Sequence, residues 1–199
     1  MVLGMDNQAW ERLKNKLYFT TEDVALAAGI TEASAHVLCS RYAKRGIFVK
    51  LKKNFYILER NWERYGLPDF FRLANFLQVP SYISCMNALS FYGVTTQVQQ
   101  GWIESIALKR SIKFEARGII FSYYKIKKEY YFGFEKKENF FIALKEKAFI
   151  DAVYLSSFGK YPMDVSSINT ESLDEALIEG MIEPYPRRTQ SKVRELCRI

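Results

Sequence analysis

Histidine and cysteine are scarce in this 199-residue chain: one histidine, His36, and three cysteines, Cys39, Cys85 and Cys197. The cysteines are odd in number, widely separated and never arranged as Cys-x-x-Cys, which is the spacing of neither a disulfide framework nor a zinc site. We therefore expect no bound metal and interpret the cysteines as buried thiols.

The common catalytic motifs are also missing. The chain has no Gly-x-Ser-x-Gly, Walker or Gly-x-Gly-x-x-Gly pattern, which excludes the usual nucleophile, phosphate-loop and dinucleotide-binding sites. We therefore expect that the chain is not an enzyme and that it binds no cofactor. A metal-dependent nuclease is a minor alternative, with Glu104 and Glu115 beside Lys109 or Lys113. Because such acid and lysine combinations are frequent on sheet edges, a solvated surface is the simpler interpretation.

Long apolar runs are absent as well. No stretch reaches the ~18 apolar residues that a membrane span needs, and the first residues lack a basic segment followed by an apolar one. We therefore expect a cytoplasmic protein without a membrane partner. The hydrophobic content of 49% is sufficient for a packed core.

Positive charge is what the chain has in excess, and much of it lies in one segment. The formal net charge is +7. Between residues 31 and 58 the only acid is Glu32, whereas the bases are Arg41, Lys44, Arg45, Lys50, Lys52 and Lys53. This concentration favours a polyanionic partner.

The pattern over residues 6–58 predicts a winged helix-turn-helix, in the order helix, helix, glycine turn, helix, hairpin. Helix caps and turns are predicted at Asp6, Thr20 or Thr21, Gly29, Thr31 and Gly46. The hairpin would pair residues 47–51 with 55–58 around Lys52, Lys53 and Asn54, where Asn54 tolerates the positive φ of a tight turn.

The third predicted helix has an outward face without acids after Glu32. Its small, polar and basic residues are the types that approach base edges and phosphates in double-stranded DNA. We expect the bases to be read by Thr31, Ser34, His36, Ser40 and Arg41. The phosphates would be held by Lys44, Lys52 and Lys53, with Asn54 completing the wing. A dimer or cooperative assembly on two half-sites is a further hypothesis.

The remainder of the chain predicts an α+β domain with a small, mainly antiparallel sheet and C-terminal helices. We place the winged helix at residues 1–60 and the second domain at 68–199, separated by a break around Gly66 and Pro68. Strands are predicted at 102–108, 113–115, 119–126 and 130–134, and helices at 68–77, 84–93, 144–155, 172–181 and 189–197. The aromatic and basic run at 122–137 could stack on single-stranded bases, but a half-buried strand pair explains the same residues and is the interpretation we prefer.

Several stretches together resemble the AbiEi family of antitoxins. They are FTTEDVALAAGIT, RYAKRGIFVKLKKNFYIL, PSYISCMNALSFYG, FGFE, ALKEKAFIDAVYL and QSKVRELC, in the family's order. The third carries the family's Pro-Ser-Tyr-Ile-Ser run, and the fifth its Glu-Lys-Ala segment followed by Asp. One departure is Asn54, which stands where the family's wing usually has Gly.

The resemblance implies a repressor of its own promoter that counteracts a co-encoded nucleotidyltransferase toxin. The candidate antitoxin surface comprises Lys147, Asp151, Arg187, Arg188, Lys192 and Arg194. Lys147 and Asp151 could instead form an i,i+4 ion pair, and the C-terminal cations a second phosphate-contacting patch. A solitary regulator, or an interaction module that uses the winged helix as a scaffold, is the alternative.

Overall fold

The computed structural model of the chain describes residues 5–97 and 99–199. It is a mixed α+β structure in two compact units. Of the described residues, the first contains 5–73 with Phe114–Gly118, and the second contains 74–97, 99–113 and Ile119–Ile199. The first unit extends beyond residue 68, into the helix Leu67–Leu77. No helix of the described residues has the length and apolarity that crossing a membrane requires.

The first unit begins with helices α1 (Asn7–Lys14), α2 (Thr21–Ala28) and α3 (Glu32–Lys44). The predicted caps are confirmed: the side chains of Asp6, Thr20 and Thr31 each accept a backbone N–H of the helix that follows. Thr20 forms a reciprocal capping box with Asp23. Gly29 ends α2 in the left-handed conformation, with φ 62°, which explains why the turn before α3 needs glycine.

A two-stranded antiparallel hairpin follows, formed by β1 (Phe48–Lys52) and β2 (Phe55–Leu58). Phe19 adds a single bridge to it, because its backbone exchanges hydrogen bonds of 2.8 and 2.9 Å with Tyr56. Asn54 has φ 56°, as the predicted turn requires. The hairpin therefore pairs along one edge with the segment that leads into α2.

The core of the first unit is aromatic. Trp10 stacks on Tyr42 at a centroid distance of 5.7 Å, and Phe48 meets Tyr42 edge-on at 5.2 Å. On α3 the core side chains are Ala35, Leu38, Cys39 and Tyr42, all of them buried. Burial raises the pKa of the Cys39 thiol to about 11, so it packs as a small apolar side chain. The unit continues through α4 (Glu59–Trp62) into α5 (Leu67–Leu77).

The second unit contains most of a six-stranded sheet, whose order is β5-β6-β4-β3-β8-β7. Its strands are β3 (Ser81–Ile83), β4 (Trp102–Ala107), β5 (Ile112–Ala116), β6 (Ile119–Lys125), β7 (Phe134–Lys137) and β8 (Phe140–Ala143). The sheet is mixed, which differs from the mainly antiparallel sheet expected: β4 runs parallel to β6, and β3 parallel to β8. The strand expected at 130–134 is also wrong, since Lys128–Tyr130 forms a 3-10 turn.

Helices of the second unit are α6 (Cys85–Phe91), α7 (Lys145–Ser157), α8 (Glu175–Ile182) and α9 (Arg187–Cys197). Helix α7 packs against α6, α8 and α9. Because it is covered on several sides, even its charged residues Glu146, Lys147 and Asp151 are buried. Helix α7 is thus a central element rather than a surface helix of the second unit.

Candidate functional site

Helix α3 presents an exposed face that carries no acid after Glu32. Its exposed members are Ala33, His36, Val37, Ser40 and Lys44. Val37 is 67% exposed, which is unusual for an apolar side chain of this size. Val37 is not among the predicted base readers, although apolar contact with a thymine methyl is a common mode of recognition.

Three of the predicted base readers have local partners in the structure. Thr31 Oγ1 accepts from the Ser34 N–H at 3.3 Å and donates to Ser34 Oγ at 3.0 Å. The guanidinium of Arg41 lies over the Tyr42 ring, 5.6 Å from its centroid. The helix start and Arg41 are therefore positioned by contacts within α3, whereas His36 and Ser40 project outward as exposed side chains.

The hairpin tip is held against the start of α2 by Asn54. Its Oδ1 accepts the Thr21 N–H at 2.6 Å and the Thr21 hydroxyl, and its Nδ2 donates to Glu22 Oε2 at 2.8 Å. These bonds use both ends of the amide, so the geometry favours an anchoring role over the predicted DNA contact. Of the two lysines at the tip, Lys53 is exposed, and Lys52 lies 5.4 Å from the Phe55 ring centroid.

Glu22 places one acid near the basic face. The hydrogen bond from Asn54, followed by one from Thr20 and with a smaller electrostatic contribution from His36, lowers its pKa to about 2. Glu22 is therefore ionised at neutral pH. Glu22 is hydrogen-bonded to Asn54 and interacts electrostatically with His36. The hairpin tip, the start of α2 and the outward face of α3 are therefore neighbours.

We expect Asn54→Ala to lower the free energy of unfolding, with a defined pH dependence. The pKa of Glu22 is depressed from 4.5 to about 2, so its stabilising contribution is complete above pH 4.5 and is lost as the pH falls through 2. The difference between the wild type and Asn54→Ala should therefore shrink between pH 4.5 and 2. Urea denaturation across this range measures it, with Lys53→Ala as the matched control. A difference independent of pH would contradict the assignment.

A closed ionic network lies in the second unit around Lys147 and Asp151. Both side chains have 0% exposure, so the predicted surface role of this pair is wrong, whereas the i,i+4 contact is confirmed. Lys147 Nζ donates to Asp151 and, at 2.9 Å, to the Tyr82 hydroxyl. Tyr82 in turn donates to Asp151 Oδ2 at 3.0 Å, as does Ser84 at 2.8 Å.

Burial of the Lys147 and Asp151 charges costs solvation free energy, and the hydrogen bonds of the network offset part of that cost. Desolvation lowers the pKa of Lys147, and Asp151 opposes that shift. Tyr185 adds a longer bond of 3.4 Å to Asp151 Oδ1 and has its own pKa raised, mainly by burial. All the charged and hydroxyl groups point at one another, which leaves a structural role as the direct interpretation of this cluster.

The other candidate antitoxin residues lie on α9, and they differ in their partners. Arg194 forms a two-pronged bond to Glu179 with both distances 2.7 Å, and Lys192 pairs with Glu195 at 2.8 Å. Arg188 lies 5.7 Å from the Phe158 ring centroid. Arg187 and Arg188 are the exposed cations of this set.

Glu104 is buried on β4, with 3% exposure. Its Oε2 accepts the Met86 N–H at 3.1 Å and the Tyr161 hydroxyl at 3.0 Å, while burial raises its pKa to about 7. Sequence reasoning missed Tyr161, which lies 57 residues away in the chain. Glu115 is exposed on β5. Within residues 5–97 and 99–199, no group of three or more His, Cys, Asp or Glu side chains could hold a metal ion.

Comparison with known proteins gives a likeness to a solved structure and no match of another kind. No family model matches the chain, and no curated protein matches it. The crystal structure of the Rv2827c protein from Mycobacterium tuberculosis is similar, with a TM-score of 0.63 and 12% identity. The match covers 96% of this chain and 74% of that chain. At this identity the likeness shows a shared fold alone.

Lys147→Met should destabilise the protein by about 3–5 kcal/mol, because it leaves the Asp151 carboxylate buried without its cation. The double variant Lys147→Met/Asp151→Leu should recover part of that loss. Lys192→Met, which breaks a solvent-accessible pair with side chains 44% and 66% exposed, serves as the control and should cost within about 1 kcal/mol. Chemical denaturation measures all three, and equal costs for Lys147→Met and Lys192→Met would refute the role given to the buried pair.

Proposed function

We propose that the first unit is a winged helix-turn-helix that binds double-stranded DNA. The observation that carries this proposal is the exposed face of α3, which has no acid after Glu32, together with the neighbouring hairpin tip. A recognition helix needs small residues for close approach, polar groups for base edges and cations for phosphates, and Ala33, Ser40 and Lys44 supply these types. Lys53 at the hairpin tip supplies a phosphate contact next to it.

Two further features support this proposal. The Phe19 bridge and the hairpin together form the short sheet that a wing requires. The Asn54 amide fixes the tip at the start of α2, so the position of Lys53 relative to α3 is preorganised. Glu22 acts in the opposite direction, because an ionised carboxylate near phosphates is repulsive.

We further propose that the chain is the antitoxin of an AbiE-like toxin-antitoxin operon in phage defence. In this proposal it represses its own promoter and counteracts a co-encoded nucleotidyltransferase toxin in the cytoplasm. The support is the ordered resemblance along the chain, together with the exposed arginines of α9. A solitary regulator, which the same first unit would serve, is the second candidate.

Replacing Lys53 with Ala should weaken binding to specific and random duplexes alike. One phosphate contact is lost, so the slope of log affinity against log salt should flatten by up to about one unit. Fluorescence anisotropy with a duplex from directly upstream of the gene, and a scrambled duplex, measures this between 50 and 200 mM salt. Lys109→Ala, an exposed lysine of the second unit, is the charge-matched control.

An unchanged salt slope for Lys53→Ala would show that the hairpin tip does not contact the DNA phosphates. Absence of any binding by the wild type at low salt would instead favour an interaction module, for which the exposed Val37 and Leu26 are suited.

Arg41→Ala tests whether Arg41 contacts a base or only packs within the protein. Loss of preference for the upstream duplex over the scrambled one indicates base contact. Equal losses on both duplexes would leave Arg41 as a residue that packs on Tyr42.

The antitoxin half is tested by co-expression with a nucleotidyltransferase encoded beside the gene. The double variant Arg187→Ala/Arg188→Ala should lose growth rescue while keeping promoter repression, because both side chains are exposed on α9. Lys192→Ala should change rescue less, since Lys192 is paired with Glu195. Full rescue by the double variant would exclude α9 as the neutralising surface, and absence of such a gene would favour the solitary regulator.

A further inference from the structure

A cavity of about 920 Å³ opens in the second unit over one face of the sheet. The parallel register of β4 and β6 pairs Glu104 with Ser122 and Ile106 with Tyr124. Trp102, Glu104 and Tyr124 therefore share this face, and all three line the cavity. Tyr161 and Lys160, from the segment after α7, line its side.

The carboxyl group of Glu104 lines the cavity although this residue is almost fully buried. Glu104 is held by the Met86 N–H and the Tyr161 hydroxyl. When ionised, this carboxyl group has about four acceptor positions, and the bonds from Met86, Tyr161 and the Asn87 backbone leave acceptor capacity on a side chain that lines the cavity. A buried carboxylate costs free energy unless it is hydrogen-bonded, which favours a ligand that brings an N–H donor to it.

Aromatic rings flank the carboxylate on both sides along the strands. Trp102 precedes Glu104 by two residues on β4, and Tyr124 lies beyond it on β6. Tyr161 meets Tyr124 edge-on at 5.5 Å, which fixes the orientation of that ring. Flat rings beside a hydrogen-bond acceptor suit a planar heterocycle, which can stack while its edge donates.

The charges at the rim determine the rest of the ligand. Lys113 Nζ lies 4.5 Å from the Trp102 ring centroid, and Lys160 is exposed beside Tyr161. Two ammonium groups disfavour a cationic ligand and favour an anionic one. The other acid that lines the cavity, Asp164, accepts from Gln97 at 2.9 Å and from the Ser166 hydroxyl at 2.6 Å.

From this arrangement we propose that the cavity binds a nucleotide. The base stacks beside Trp102 and Tyr124 and donates an N–H to Glu104, and the phosphate lies at Lys113 and Lys160. The volume is within the range of small-molecule sites. The run at 122–137, whose aromatic and basic residues suit base stacking, contributes Tyr124 to this cavity. The proposal does not depend on DNA binding by the first unit.

The experiment titrates the full chain with the four nucleoside 5′-monophosphates, the matching nucleosides and four-nucleotide single strands. Isothermal calorimetry gives the affinities. At least one monophosphate should bind more tightly than its nucleoside. Lys113→Ala should weaken the monophosphate about tenfold and the nucleoside little, whereas Glu104→Gln should weaken both about tenfold. Lys109→Ala is the matched control, and circular dichroism checks that Glu104→Gln folds.

The probes also separate two sources of the same chemistry. Binding of monophosphates but not of single strands indicates a free nucleotide, and tighter binding of single strands indicates the end of a nucleic acid; either supports the site. Three results would overturn it: no saturable binding of any probe at millimolar concentration, affinities unchanged in both Lys113→Ala and Glu104→Gln, or tighter binding of spermidine than of any monophosphate.

Discussion

The second unit depends on the buried pair of Lys147 and Asp151. Two charges inside a protein are tolerated only when each is compensated, and here the compensation comes from three different parts of the chain. Tyr82 belongs to β3, Ser84 precedes α6, and Lys147 and Asp151 belong to α7. Because any other register of α7 on the sheet would leave a charge without a partner, the pair fixes how helix and sheet are assembled. We expect such a buried pair to contribute more to the specificity of packing than to net stability.

The network around Lys147 and Asp151 also explains where two of the stretches that resemble the AbiEi family lie in the structure. Two of the stretches that carry it, residues 80–93 and 143–155, meet at this network although more than 60 residues separate Tyr82 from Lys147. A likeness at these positions therefore describes the interior of a fold. The proposed recognition of DNA and of a toxin therefore depends on exposed elements, the outward face of α3 and helix α9, and not on these stretches.

Local features were predictable from the sequence, and long-range ones were not. The caps at Asp6, Thr20 and Thr31 depend on residues within four positions of one another, so the sequence contains the whole interaction. The spacing of Lys147 and Asp151 predicted their contact but not their burial, which is caused by α6, α8 and α9 packing around α7. For the same reason the parallel pairing of β4 with β6, and the bond from Tyr161 to Glu104, could not be inferred from neighbouring residues.

Burial combined with hydrogen bonding separates structural polar groups from functional ones in both units. Around Asp151 the hydrogen bonds are directed inward and no side-chain surface remains, so the cluster has nothing left to offer a ligand. Glu104 is almost as buried, but it lines a cavity with aromatic rings and cations, so its remaining acceptor capacity is directed at a space that a ligand can enter. At the hairpin tip the same distinction applies to neighbouring residues. The Asn54 amide is used in holding the turn, and the adjacent Lys53 remains exposed on a support that Asn54 has made rigid.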